Sequence, residues 1–365
     1  MTSKPEGDKK AGRARAGRLK ETMKPETRVT MHQIAREAGV SLGTVSHVIN
    51  GTATVREPLR ERVLKAVKML GYEPNELSRG LRLNRTSIIG MIIPDITNPF
   101  FPGVVRGVED VAYKHQFRLV LCNTDNDPAK EATYLSQLKS FLPAGILIIP
   151  SQDSTVTTIA SGPPIVCIDR RPDNWKGDMV SVANREGAYK ATQHLIEMGH
   201  RKIGVIAGPS HLTSAVDRLR GLRQALDHAK LSIAPEYVQE ARFDRMSGYT
   251  AALRLLQLLP RPTVIFAMSD PTAMGTLLAI RELQLRCPQD VSVMSFDGLE
   301  QTELTEPALT AVYQPGYQLG YTAAGLLVER MEGLKAPAKE IVLETELRIR
   351  GSVANLNSRR HGTGR

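Results

Sequence analysis

The stretch SLGTVSHVIN, residues 41–50, sets short hydroxyl and amide side chains beside one imidazole. Val45, Val48 and Ile49 recur at helical spacing, which leaves Leu42, Gly43, Thr44, Ser46 and His47 on the opposite face. Groups this short and polar suit hydrogen bonds to the edges of DNA bases better than ion pairs within a protein. Ser41 fits the N-cap of that helix, and Asn50 closes it. Upstream, Thr30 and Gln33 have the S/T-x-x-E/Q spacing of a capping box at the head of a helix whose Ile34, Ala35 and Ala38 share one face. Gly39 can end it at positive φ, and Val40 can fill the corner. Two short helices about a glycine turn predict a helix-turn-helix, whose second helix enters the major groove. The candidate DNA contacts are therefore Thr30, Ser41, Leu42, Gly43, Thr44, Ser46, His47 and Asn50.

The elements around this motif agree with that chemistry. A third helix is expected from about Glu57 to Leu70, with Pro58 in its first turn, Leu59, Val63, Val67 and Leu70 on one side, and Gly71 at its end. Of the net charge of +10, most sits in residues 1–86, which hold 18 Lys and Arg against 9 Asp and Glu; the rest holds 30 against 29. A basic head on a near-neutral body fits phosphate binding with counterion release. Residues 1–28 read as a basic disordered arm that adds weak, salt-sensitive DNA affinity.

From Ile88 onward, apolar runs alternate with helical stretches. Buried parallel strands are expected at 88–94, 117–122, 145–150 and 164–169, then at 202–209, 263–268 and 290–296. The openings IGMIIP and IGVIAGP read as one strand–turn signal used twice, hence two α/β lobes with a ligand cleft at the strand ends. The sequence has no Walker A motif, no dinucleotide glycine fingerprint after the first strand, no G-x-S-x-G elbow and no paired metal ligands, so no enzyme, cofactor or metal is expected. His194 and His200 are expected at the surface. Cys122, Cys167 and Cys287 lie far apart in apolar surroundings and read as buried reduced thiols. No apolar run reaches about 18 residues, and the basic start has no apolar stretch behind it, so neither a membrane span nor a secretory leader is expected. An exported uptake protein would need such a leader and have no use for residues 29–82.

Residues 29–50, VTMHQIAREAGVSLGTVSHVIN, resemble the opening of the lactose-repressor (LacI/GalR) family, GYEPNELSRGLR at 71–82 resembles its hinge helix, and the likeness runs to GSVA at 351–354. The resemblance implies a small all-α helix-turn-helix head on an α/β, two-lobed, periplasmic-binding-protein-like effector domain with parallel sheets. It implies an arm at 1–28, a DNA-binding domain at 29–74, a hinge at 75–86, an effector-binding and dimerisation domain at 87–355, and a tail at 356–365. The chain would cross between lobes three times, with a helix at about 316–333 back in the first lobe. In the hinge, Leu81 would wedge into the minor groove with Ser78 and Arg82 beside it. The effector contacts carried over are Phe100, Phe101, Asp169, Ser214, Arg218, Phe243, Asp297 and Gln314. The resemblance thus implies a cytoplasmic regulator, acting as a repressor and dimeric on a palindromic operator.

A polyhydroxylated effector, a sugar or sugar derivative, suits carboxylate acceptors, an arginine fork and aromatic faces; a purine or nucleoside is the alternative. The sequence departs from the family's pattern in several places. Gln33 stands for the usual Asp and His47 for the commoner Arg. Leu212 occupies the site of a pocket arginine of the purine-responsive member. Ser269 stands where sugar-responsive members often have Asn, and Ala183 where Asp usually precedes Asn184. Nothing after Gly351 shows the leucine heptads of a tetramerising tail.

Overall fold

The computed structural model describes residues 29–51, 53–72, 86–151, 154–158 and 162–357, and divides the chain into two compact units, Met1–Glu76 and Leu77–Arg365. The basic arm, the hinge residues Ser78, Leu81 and Arg82, and the tail beyond 357 lie outside the described residues.

The first unit contains α1 (Met31–Ala38), α2 (Leu42–Asn50) and α3 (Glu57–Leu70). Both halves of the capping box form: Gln33 N–H donates to Thr30 Oγ1 at 3.4 Å, and Thr30 N–H to Gln33 Oε1 at 2.7 Å. Gly39 turns at φ 60°, and Ser41 Oγ accepts from Thr44 N–H at 3.1 Å to start α2. Ile34, Ala38, Val45, Val63 and Ala66 form the core, with Val40 packed against it at the corner. Arg62 of α3 donates to the carbonyls of Ala38 and Gly39, at 2.9 and 2.8 Å, and so closes the end of α1.

The second unit is two lobes, each around a six-stranded sheet. In chain order its elements are β1 (Ile88–Ile93), α4 (Phe100–Lys114), β2 (Arg118–Asn123), α5 (Pro128–Ser140), β3 (Gly145–Ile148), β4 (Ile165–Ile168), β5 (Asp178–Val182), α6 (Asn184–Glu197), β6 (Ile203–Ala207), α7 (Thr213–His228), β7 (Val238–Glu240), α8 (Arg245–Leu256), β8 (Val264–Ala267), α9 (Asp270–Glu282), β9 (Ser292–Asp297), β10 (Thr310–Tyr313), α10 (Gly316–Met331), β11 (Glu340–Leu343) and β12 (Glu346–Arg348). The first sheet has the order β11-β5-β4-β3-β1-β2, all parallel. The second has the order β12-β10-β9-β8-β6-β7, parallel except for the edge strand β12. The chain leaves the first lobe after β5, returns with α10, and leaves again between β11 and β12, the three crossings expected. α10 packs on α4 and on β3 to β5, back in the first lobe.

Some expectations fail in instructive ways. β2 is an edge strand that leaves Val120 and Leu121 partly exposed, so its apolar run is not a buried interior strand. β5, β7, β10, β11 and β12 were not anticipated, because strands of three to five residues with mixed polarity carry too short a pattern. His194 and His200 are buried rather than superficial: His200 Nδ1 pairs with Thr263 Oγ1 at 2.8 Å and Nε2 lies 3.0 Å from the Ala354 carbonyl, so it ties the segment around Ala354 to the start of β8. Of the cysteines only Cys167 is fully buried; Cys122 and Cys287 are partly so.

The α4–α10 contact depends on two missing side chains. A Cβ on Gly320 would lie 1.9 Å from the Val104 carbonyl oxygen, and one on Gly107 2.1 Å from that of Tyr317. Gly320→Ala should therefore push the helices apart and destabilise the unit by about 1–3 kcal/mol, read as a lower Tm in calorimetry. An unchanged Tm would show that the helices are not in close contact there.

Candidate DNA-recognition helix and effector cleft

On α2, Leu42, Gly43 and His47 are exposed, and Thr44 and Ser46 partly so, as a recognition face requires. The structure also refines the candidate set. Thr30 and Ser41 act as helix caps, so their hydroxyls are already engaged. Asn50 folds back along its own helix, donating to the Ser46 carbonyl at 2.8 Å and to Ser46 Oγ at 3.1 Å.

In the second unit the sheets bring their carboxyl ends together, and the expected effector residues other than Phe100 fall there. Asp169 follows β4 at φ 62° and Asp297 ends β9 at φ 105°, both in left-handed backbone that a non-glycine residue seldom adopts. Ser214 and Arg218 lie in the first turns of α7, Phe243 precedes α8, and Gln314 follows β10. Arg218 is the hub. Its Nε donates to Asn184 Oδ1 at 2.7 Å, and its Nη1 to the Met268 carbonyl at 2.6 Å and to Asp297 Oδ1 at 3.4 Å. The guanidinium lies 3.9 Å from the Phe296 ring centroid and 5.6 Å from that of Phe243, so aromatic faces share its charge.

Two cavities open beside this hub. One of about 570 Å³ is lined by Phe101, Arg170, Leu212 and Phe243; the other, of about 410 Å³, by Asp169, Asn184 and Ser214. Phe100 lines neither: it packs in the first-lobe core against Gly316, edge-on to Phe101 at 5.4 Å between centroids. A larger groove of about 1090 Å³ lies away from the cleft, along α9.

Three residues of the cleft were missed as candidates. Arg170 and Asp270 are each 4% exposed, and Asn184 is 5% exposed. Asp270 Oδ1 accepts from Ser295 Oγ and Oδ2 from Leu299 N–H at 2.7 Å, while its own N–H donates to Asp297 Oδ2 at 3.1 Å. Arg170 could have been suspected from its place beside Asp169. Asp270 could not, because an acid in the first turn of a helix is an ordinary feature. Ser269 is buried as the N-cap of α9, accepting from Thr272 N–H at 3.4 Å.

Burial, then the neighbouring Asp297 charge, raises the Asp270 pKa to about 7; burial raises Asp297 to about 6 against the pull of Arg218. A carboxyl with a folded pKa above its unfolded value stabilises while protonated, fully below about 3.9, and loses that contribution as pH rises through the folded pKa. The Tm of this unit should therefore fall between about pH 4 and pH 7. Asp270→Asn, which does not ionise, should flatten that fall in calorimetry; an unchanged slope would mean that Asp270 does not titrate there.

The chain matches two family models: "Bacterial regulatory proteins, lacI family" over residues 30–75, and "Periplasmic binding protein-like domain" over residues 192–353. It is 38% identical to the HTH-type transcriptional repressor PurR of Haemophilus influenzae (strain PittEE), over 90% of this chain and 99% of the relative. Among solved structures it resembles a transcriptional regulator CelR–cellobiose complex at 33% identity and TM-score 0.69, covering 89% of this chain and 100% of that one. It shares its fold with the lac repressor dimer bound to operator and the anti-inducer ONPF, at TM-score 0.80 and 24% identity over 90% of this chain and 99% of that one. With a repressor this similar along nearly its whole length, the chain belongs to the LacI family of bacterial regulatory proteins and is a DNA-binding transcriptional repressor.

Proposed function

We propose that this repressor binds a palindromic operator as a homodimer through the exposed face of α2, and that a small effector held between the lobes controls that binding. The observation that carries the effector reading is the Arg218 hub. A guanidinium 4% exposed, bonded to Asn184 and Asp297 and flanked by open cavities, is costly for the fold and suited to gripping a polar molecule. Phe101 and Phe243 give the cleft aromatic walls, and Ser214 and Asp169 give it polar ones. With DNA as target, the expected location is the cytoplasm.

The name PurR on the curated relatives favours a purine or nucleoside effector over the sugar that the residue types first suggested. A sugar stays as the second reading on one observation, the cellobiose in the complex of the related CelR. Dimerisation through the lobes is supported by apolar surface that a monomer would leave wet: Val120 and Leu121 on β2, and Met246 on α8, which is 52% exposed.

Two measurements check these points. His47→Ala should weaken specific operator binding by about 1–3 kcal/mol and leave binding to random DNA nearly unchanged, since phosphate contacts carry the latter. Equal losses on both DNAs in anisotropy titrations would remove His47 from base readout. Melting the full-length protein with purines, nucleosides, sugars and sugar phosphates should identify a compound that raises Tm, by about 2.7 kcal/mol of stability at 100 times its Kd. Arg218→Ala should abolish that rise at the same concentration; a rise retained in the variant would place the effector elsewhere.

A further inference from the structure

An apolar side chain of the second lobe reaches across into the first. Leu299 lies in the turn between β9 and β10, yet it packs half-buried against the first-lobe core. Every other described member of that core, from Ile89 to Val182 and from Leu319 to Leu343, comes from first-lobe segments. The turn that presents Leu299 is firmly held. Gly298 sits at φ 65°, and a Cβ there would lie 2.8 Å from the Tyr313 Cα. The Leu299 carbonyl accepts from Thr302 N–H at 2.9 Å and from Thr302 Oγ1 at 2.6 Å, and Thr302 is fully buried. Leu299 N–H donates to Asp270 Oδ2 at 2.7 Å, while Asp270 N–H donates to Asp297 Oδ2 at 3.1 Å. Asp297, Gly298, Leu299 and Asp270 thus close a ring, with the cleft carboxylate at one side and the crossing side chain at the other. Hydrogen bonds to buried carboxylates are short, strong and directional. The apolar contact of Leu299 has no preferred direction, so it is the part that can slip when the lobes turn.

We infer that Leu299 is a strap that holds the lobes at their present orientation, and that the ring through Asp270 passes any displacement of Asp297 on to it. This rests on the reading that lobe orientation, set from the cleft, governs operator binding. Asp270 and Leu299 are then positioning residues, since neither needs to touch the effector or the DNA. An occupant that draws on Asp297 moves Gly298 and Leu299 with it, and so changes the grip on the first lobe.

The test is amide hydrogen exchange of the full-length protein, read at Arg171, beside operator titrations. Arg171 N–H, in the first lobe, donates to Thr213 Oγ1 of the second at 3.0 Å, and so reports whether the lobes stay together. Leu299→Ala should speed exchange at Arg171, relative to the amides of β1, by at least about fivefold, the low end of allosteric couplings. Gly298→Ala, which shifts the strap by strain rather than by truncation, should do the same, whereas Leu299→Met, of similar bulk, should stay close to the parent. Should Leu299→Ala fail to fold, Gly298→Ala and the milder Leu299→Val give the same reading. Val108→Ala truncates a fully buried residue of the same core; it should lower Tm without raising the Arg171 ratio. The strap variants should also change the operator Kd by about fivefold or more, with binding to random DNA unchanged. A ratio that the strap variants leave unchanged, or that Val108→Ala raises equally, overturns the strap and leaves the effector reading standing. A raised ratio with an unchanged operator Kd overturns the strap's role together with the reading that lobe orientation governs DNA binding.

Discussion

Asp169, Arg170, Arg218, Asp270 and Asp297 are all withdrawn from water where the two lobes meet, none more than 6% exposed. Burying a charge is costly unless other charges and hydrogen bonds replace its hydration. The fold supplies these from many elements: the start of α6 gives Asn184, the turn after β8 gives the Met268 carbonyl, β9 gives Asp297, and the turn after β10 gives Gln314. Removing one partner of such a pair costs about 3–5 kcal/mol, because the other charge is then stranded. Parallel sheets deliver this arrangement because all their strands but one run the same way and end at the same side.

The same constraint explains the protonation of the pair Asp270 and Asp297. Their charges lie close in a dry site with one nearby guanidinium from the second lobe, so a proton near neutrality replaces a second cation. The positive φ at Asp169 and Asp297 fits the same picture, since local strain is tolerated where the surrounding bonds hold a side chain in place.

Much of this could be read from the sequence, for reasons that differ by region. The first unit is local: the capping box at Thr30, the turn at Gly39 and the cap at Ser41 depend on neighbours three or four residues away, and they form as read. The long apolar strands were equally legible, whereas β5 and β10 to β12 were not, because they are short and defined by pairing with distant chain. In the cleft, the resemblance identified Asp169, Arg218 and Asp297, and the structure brings them together. It placed Phe100 in the site, where packing against Gly316 puts it in the core instead. Arg170 and Asp270 escaped notice because their significance lies in burial and in bonds to distant residues, which no linear spacing encodes. The buried histidines show the same limit: His200 is defined by Thr263 and Ala354, distant in the chain.

A repressor controlled from its cleft must link two binding events. An effector shifts DNA affinity only through its difference in affinity for the two states of the protein, and the linkage is reciprocal. The most direct test is to measure the Kd of the cleft ligand by titration calorimetry with the free protein and with the operator complex, beside the operator Kd with and without saturating ligand. The account predicts that both ratios depart from one and agree, typically about 5- to 150-fold. A ligand that binds the free and operator-bound protein equally, and leaves operator affinity unchanged, would contradict it.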